Sequence, residues 1–181
     1  IYQDVHDFFK NLKYFFSNYP EYEFRFLIKP HYYVNFKSFN KILKKVGIED
    51  KFVVGGYKIL SILEKHPRLK YFYNDKWSET KSLYSLDMAK TEFNDDLIIS
   101  YSDVVYSEQV LNDLIASDSD ISIGYDSEWR DRYSGRNEKI LNDAEKISLT
   151  LDKEIRVGKN INNAENIIGE FIGLFKVNRS L

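Results

Sequence analysis

One acidic residue, Asp103, lies two residues after a short apolar segment and is the side chain best placed to do chemistry. The segment, Leu97 to Tyr101, is bounded by polar residues, which is typical of a buried strand. In an open α/β sheet, ligands bind in the crevice beyond the carboxyl ends of the strands. A carboxylate at that place could hold a divalent metal and its phosphates. The same spacing suits a turn residue or the cap of the helix predicted at 107–116, and spacing alone leaves both interpretations open.

The charges divide along the chain, although the net charge is only -2. Residues 1–81 contain fifteen Lys and Arg against nine Asp and Glu, whereas residues 87–128 contain eleven acidic residues and one Lys. A nucleic-acid-binding protein would present one continuous positive face, so this division argues against such a partner. It suits a site where cations contact phosphates and carboxylates hold a metal, although solvated surfaces carry similar charges.

The composition indicates one globular domain. The chain has 181 residues, and its hydrophobic content of 43% is enough for a sizeable core. Cysteine is absent, which excludes disulfides and thiolate metal ligands and fits a reducing compartment. No segment is apolar over the length of a membrane span, and no signal-peptide pattern is present. We therefore expect a cytoplasmic protein without a membrane span.

Strand and helix patterns alternate on both sides of Asp103. Strands are predicted at 21–28, 51–57, 69–73, 97–101 and 120–125, and helices at 4–19, 38–46, 58–65, 80–91 and 107–116. Such repeats imply right-handed crossovers. They predict a three-layer α/β fold with a mostly parallel, Rossmann-like sheet.

The C-terminal part follows a different pattern. Residues 127–142 are polar and predict a long loop. Two strand-like runs, 144–151 and 154–159, predict a C-terminal β-hairpin, and 169–177 predicts a last strand.

Several separated motifs resemble those of the sugar-nucleotide-type nucleotidyltransferases, especially the phosphocholine and phosphonate cytidylyltransferase-like branch. They are VVGGYK at 53–58, ETKSLYSL at 79–86, DLIISYSDVV at 96–105, YDSEWRDRYSGR at 125–136, AEK at 144–146, VGK at 157–159 and GEFIGL at 169–174. The resemblance covers about residues 34–181 and implies a nucleotidyltransferase-like domain there. Residues 1–33 are then a separate helix and strand segment of uncertain origin.

The resemblance implies transfer of a nucleotidyl group to a phosphorylated or phosphonylated small alcohol, with release of pyrophosphate and CTP as the expected donor. Such chemistry depends on neutralising phosphate charge, through Mg²⁺ and Lys or Arg. Asp103 matches the metal-binding and catalytic aspartate of the family. Lys146 matches a catalytic position that contacts the acceptor phosphate. Lys29 stands in a Lys-Pro pair whose lysine contacts the nucleotide phosphates.

The resemblance also assigns Ser82 and Ser85 to the segment that faces the nucleotide base, and Glu170 to the acceptor side, where it would bind a cationic or hydroxyl group. Three features depart from the family pattern. Ser102 replaces the usual Gly, no glycine-rich GxGxR loop occurs in this sequence, and the sequence stops just after Arg179, before the place where the family usually supplies a second metal-binding acid. These departures favour an alternative, a non-catalytic module with this fold within a larger surface-polymer biosynthesis protein.

Overall fold

The computed structural model describes residues 25–30, 36–102, 104, 106–151, 154–161 and 166–178. Its strands are β1 (Arg25–Pro30), β2 (Lys51–Gly55), β3 (Lys70–Tyr73), β4 (Leu97–Ser102), β5 (Ile121–Asp126), β6 (Lys146–Leu149), β7 (Ile155–Gly158) and β8 (Ile167–Val177). Its helices are α1 (Phe36–Lys45), α2 (Ile59–Lys65), α3 (Ser82–Asp87), α4 (Glu108–Ile115), α5 (Trp129–Arg132) and α6 (Glu138–Asp143), with a 3₁₀ turn at Lys90–Glu92.

The central strands are continuous apolar runs because both faces of the sheet are covered. Successive side chains of a strand point to opposite faces. In β4, Leu97 and Ile99 therefore join one core cluster, with Leu86 from α3, while Ile98 joins the other, with Leu111 from α4. Helices on both faces confirm the α/β class.

The eight strands form one mixed sheet in the order β3-β2-β1-β4-β8-β6-β7, and β5 pairs with β8 as well. Strands β1 to β4 are mutually parallel. All pairings of β5 to β8 are antiparallel. The predicted mostly parallel sheet is therefore not confirmed. Strands β4 and β5 do run in the same direction, as a helical crossover requires, but β8 lies between them and runs the opposite way.

In the C-terminal half, the predicted β-hairpin is confirmed and the predicted long loop is wrong. Strands β6 and β7 form the predicted antiparallel hairpin. Residues 127–142 are not a long loop, because they contain α5 and all but the last residue of α6. The short helix α5 buries Trp129, which is 5% exposed, beside the polar cluster described below. A helix of a single turn is too short to show apolar periodicity, which is why the sequence pattern missed it.

The N-terminal predictions fall mostly outside the described residues. The helix predicted at 4–19 and the boundary between residues 33 and 34 both lie there. The described strand Arg25–Pro30 pairs with both β2 and β4, so these six residues are an integral part of the sheet. Among the described helices, none has the length and hydropathy needed to cross a bilayer.

Candidate active site

The four parallel strands end at one edge of the sheet, where a ligand crevice is expected. Gly55 ends β2, Tyr73 ends β3 and Ser102 ends β4. The backbone of Lys29 lies in β1 opposite Tyr101, one residue before the same edge. Helix α3 begins at Ser82 in the segment that follows β3. The structure thus places the backbone of Lys29, a predicted nucleotide-side residue, at the same edge as Ser102, which immediately precedes Asp103.

A buried asparagine organises the segment between β3 and α3. The side chain of Asn74 is 1% exposed, and its Nδ2 donates to Ser85 Oγ and to Thr80 Oγ1, both at 3.0 Å. The Lys76 backbone N–H donates to Asn74 Oδ1 at 2.9 Å, and the Asn74 N–H donates to the Gly55 carbonyl at 2.9 Å. A buried amide whose donors and acceptor are all satisfied fixes this loop against β2. Ser85 therefore has a structural partner, and its contact with a base stays a prediction.

The end of β4 is also buried. Ser102, the residue that replaces the family's Gly, is 7% exposed. The Tyr106 hydroxyl donates to Ser100 Oγ at 3.3 Å, and burial raises the pKa of Tyr106. Asp103 itself lies outside the described residues, so its role as a catalytic metal ligand stays a prediction.

A cluster of three charged side chains lies beyond the end of β4. It is centred on the N-terminal half of β8 and includes one residue from each of the neighbouring strands β5 and β6. Ser100 pairs with Leu174, so the residues of β8 before position 172 extend past the carboxyl end of β4. Glu170 is directly opposite Asp126 of β5 on one side and Lys146 of β6 on the other. Directly paired residues point to the same face of a sheet. The three charges therefore form one row on one face.

Lys146 is the most buried of the three, at 8% exposure. Its Nζ donates to the carbonyls of Lys159 at 2.8 Å and of Ala144 and Asn142 at 3.4 Å. Burial lowers the pKa of Lys146, while the nearby Glu170 carboxylate opposes that shift. An ammonium has three donors, and these carbonyls occupy all of them. In this arrangement Lys146 holds the chain after β7 against the start of β6, and its contact with a phosphate stays a prediction.

Glu170 is half-buried and accepts a hydrogen bond from the Tyr133 hydroxyl at 2.8 Å, on Oε1. Burial raises the pKa of Glu170, and the negative charge of Asp126 acts in the same direction. Asp126 has the opposite shift, because its hydrogen bond from Arg132 lowers the pKa of this carboxyl. Of the two carboxylates in the row, Asp126 is therefore paired with a cation, and Glu170 can accept further hydrogen bonds.

Tyr133 and Arg132 are site residues that the sequence interpretation missed. Both lie in the segment predicted as a loop. One signal could have revealed that this segment is helical. Trp129 and Tyr133 are four residues apart, which is the spacing of neighbours on a helix. Their rings meet edge to face at a centroid distance of 6.0 Å.

The raised pKa of Glu170 predicts a pH-dependent stability. The folded protein favours the protonated form, so this group's contribution is fully present at low pH and is lost as the pH rises from about 4.3, the ordinary glutamate value. We expect Glu170→Gln to flatten the fall in unfolding free energy between that pH and neutrality, as measured by urea unfolding. Glu145, whose pKa is also raised by burial, should add to the effect. Identical pH profiles of the variant and the parent chain would contradict this assignment.

Comparison with known proteins identifies relatives of this chain. No protein-family model matches it. The chain is 34% identical over 143 residues to the CTP:phosphoglutamine cytidylyltransferase of Campylobacter jejuni, which covers 74% of the chain and 56% of that protein. The chain therefore spans little more than half the length of this curated relative.

Solved structures share the fold at low sequence identity. The inositol-1-phosphate CTP transferase of T. maritima superposes with a TM-score of 0.62 at 14% identity, over 88% of this chain and 71% of that one. A CMP:2-keto-3-deoxy-manno-octonic acid synthetase complexed with CTP gives a TM-score of 0.56 at 10% identity, over 87% and 75%. The resemblance that the motifs predict is confirmed: this chain is similar in sequence to a CTP:phosphoglutamine cytidylyltransferase and shares its fold with a CTP transferase.

Proposed function

We propose that this chain is the nucleotide-transfer domain of a cytidylyltransferase, which transfers a cytidylyl group from CTP to a phosphorylated small molecule. The observation that carries the proposal is the position of the charged row, Asp126, Glu170 and Lys146, just beyond the end of β4, where Asp103 follows in the sequence. The 34% identity to a CTP:phosphoglutamine cytidylyltransferase supports the same donor and a phosphorylated acceptor. That the acceptor is an alcohol, and that the protein is cytoplasmic, stay predictions.

In the proposed reaction, an oxygen of the acceptor phosphate attacks the α-phosphorus of CTP. The bond between the α-phosphorus and the oxygen that bridges to the β-phosphorus breaks, and pyrophosphate leaves with that oxygen. The protein mainly positions the two phosphates and compensates their charge. We assign Ser82 and Ser85 to the nucleotide side, together with Lys29, and Glu170 to the acceptor side.

Mg²⁺ is part of the proposal, with Asp103 as its ligand. When bound, the metal would neutralise charge on the triphosphate. Among the residues that the structure describes, no group of three His, Asp or Glu side chains could hold a metal ion. The proposal therefore rests on Asp103, since Mg²⁺ can be bound through one or two carboxylates together with the phosphates of its ligand.

A thermal-shift experiment tests nucleotide and metal binding together. With CTP at about 100 times its dissociation constant and Mg²⁺, the melting temperature of the full chain should rise by about 5–10 °C, because a ligand that binds only the folded state stabilises it. Chelation of the metal or the change Asp103→Asn should remove most of this rise.

Asp118→Asn provides the matched control. Asp118 is exposed and precedes β5. The first residue of β5 pairs with Val177, which also pairs with the first residue of β4. Asp118 therefore lies at the amino end of β4, on the edge of the sheet opposite to the candidate site. This variant should keep the full CTP response. If neither CTP nor any other nucleoside triphosphate changes the melting temperature, the alternative of a non-catalytic module replaces the proposed activity.

A further inference from the structure

Large apolar side chains are exposed together in one short part of the chain, residues 57–77. Of the ten exposed large apolar side chains in the described part of the protein, five lie there. We call these five the apolar corner: Tyr57, Leu60, Leu63, Tyr73 and Trp77. Single exposed apolar residues are ordinary, whereas a group of them marks a surface that binds something.

The fold brings the two leucines and Tyr73 to the same face of the sheet. Leu60 and Leu63 are three residues apart in α2 and are therefore neighbours on the helix surface. The helix packs on the sheet through Ile62, which joins the same core cluster as Tyr71 of β3. Tyr73 follows Tyr71 by two positions in β3, so it points to the face that α2 covers.

Tyr57 and Trp77 form a fixed aromatic pair beside the start of α2. Their ring centroids are 5.3 Å apart. Trp77 packs against the backbone of Gly56, where an added Cβ would overlap the indole. The turn that carries Trp77 is closed by the Lys76 carbonyl, which accepts a hydrogen bond from the Thr80 N–H at 2.9 Å. The backbone therefore holds both rings at the surface.

Basic residues surround the apolar corner. Residues 57–81 contain six Lys and Arg against three Asp and Glu, although the whole chain has a net charge of -2. All six basic side chains are exposed: Lys58, Lys65, Arg68, Lys70, Lys76 and Lys81. Lys70 pairs with Glu92. The Lys58 Nζ lies 5.1 Å from the centroid of the Tyr57 ring. The margin of the apolar corner is thus complementary to an anionic surface.

The shape of the apolar corner favours a lipid bilayer over a peptide or a nucleobase. Tyr57 is 65% exposed and Leu60 is 68% exposed, so both side chains protrude, whereas side chains that line a peptide groove are mostly covered by its walls. A nucleobase could cover the aromatic pair but would leave Leu60 and Leu63 in water. At a membrane surface, Leu enters the acyl region, Trp and Tyr lie at the headgroups, and Lys contacts anionic lipids.

We propose that the apolar corner binds this protein peripherally to an anionic lipid bilayer. Leu60, Leu63 and Trp77 enter the boundary between headgroups and acyl chains, while Lys58 and Lys76 contact the lipid phosphates. Binding is weak and reversible, because few side chains enter the bilayer and the local excess of positive charge is small. This binding is independent of the proposed cytidylyl transfer.

Co-sedimentation with lipid vesicles tests the proposal. The full chain is mixed, without CTP, with vesicles of phosphatidylcholine alone or of an equal mixture of phosphatidylcholine and phosphatidylglycerol. We expect at least about 10-fold stronger binding to the mixed vesicles, because each basic residue near an anionic surface contributes roughly a 5-fold factor. Added salt should weaken this binding, since it screens the charges.

Substitutions separate the apolar contribution from the electrostatic one. Leu60→Ser should lower the partition coefficient about 10-fold and Lys76→Gln about 5-fold. Both side chains are exposed, so neither change should alter the stability of the fold. On the mixed vesicles, the emission of Trp77 should shift to shorter wavelength. Trp77→Phe should remove this shift, because the other tryptophan, Trp129, is buried.

Leu151→Ser and Arg156→Gln are the matched controls. Both residues are exposed and lie at the hairpin of β6 and β7, at the other end of the strand order from β3. These variants should keep full vesicle binding.

Failure of the parent chain to bind the mixed vesicles would overturn the proposal, as would binding that Leu60→Ser leaves unchanged. Two results in the absence of vesicle binding would reassign the surface. Self-association that Leu60→Ser abolishes would make the apolar corner an interface between copies of this chain. Quenching of Trp77 by CTP would make the aromatic pair a nucleotide contact. A chain that shows the CTP thermal shift but no vesicle binding keeps the proposed function and loses this inference.

Discussion

Replacement of Lys176 by Met is expected to lower the free energy of unfolding by about 3 kcal/mol, because it removes the buried partner of an ion pair whose carboxylate, Asp96, is itself only 16% exposed. Lys176 is 3% exposed, and its Nζ lies 3.2 Å from Asp96 Oδ2. The same ammonium donates to the carbonyls of Ile115 at 3.1 Å and Ser117 at 2.8 Å, at the C-terminal end of α4. It therefore ties β8 to that helix. Met keeps most of the aliphatic stem, so the change reports mainly on the ammonium.

The measurement is urea unfolding of the parent chain and the variant, with the slope m checked for two-state behaviour. Lys45→Met is the matched control. Its ion pair with Glu108 has an N–O distance of 2.7 Å, but Lys45 is 68% exposed. Such surface pairs contribute less than about 1 kcal/mol. A Lys176 variant as stable as the Lys45 variant would show that the buried pair contributes little.

Gly173→Ala is expected to cost about 2–5 kcal/mol, the sum of backbone strain and steric overlap. Gly173 has φ +73°, a conformation that residues with a Cβ rarely adopt. A Cβ at this position would lie 2.6 Å from the Tyr101 ring. That ring packs against Phe171 with centroids 6.0 Å apart, so it has little room to move.

Gly47→Ala separates the two contributions to this cost. Gly47 has φ +83° but no atom within 4 Å of the position of an added Cβ. Its replacement should cost only about 1–2 kcal/mol, from the backbone alone. The difference between the two variants in chemical unfolding then measures the overlap with Tyr101. Equal costs would show that the ring moves freely.

Gly173 also matters for the site. Residues 174–177 of β8 pair with β4, and residues 167–170 pair with β6. Gly173 lies between these two halves, and so sets where Glu170 lies relative to the end of β4.

Several features could be predicted from the sequence because they depend on local order. The apolar run of β4, the hairpin of β6 and β7 and the helix α4 follow from side-chain periodicity. The motifs also indicated the family, and they placed Lys146 and Glu170 in one functional region. Their direct pairing across β6 and β8 agrees with that grouping.

Other features were decided only by the tertiary structure. Local patterns do not record which strands become neighbours, so the insertion of β8 between β4 and β5 was not predictable, and the sheet is mixed as a result. The same insertion puts Glu170 between Asp126 and Lys146 and brings Tyr133 to it from a segment that looked like a loop. The sequence by itself determined which residues could do chemistry; the pairing of β8, a contact between residues far apart in the chain, decided which of them meet.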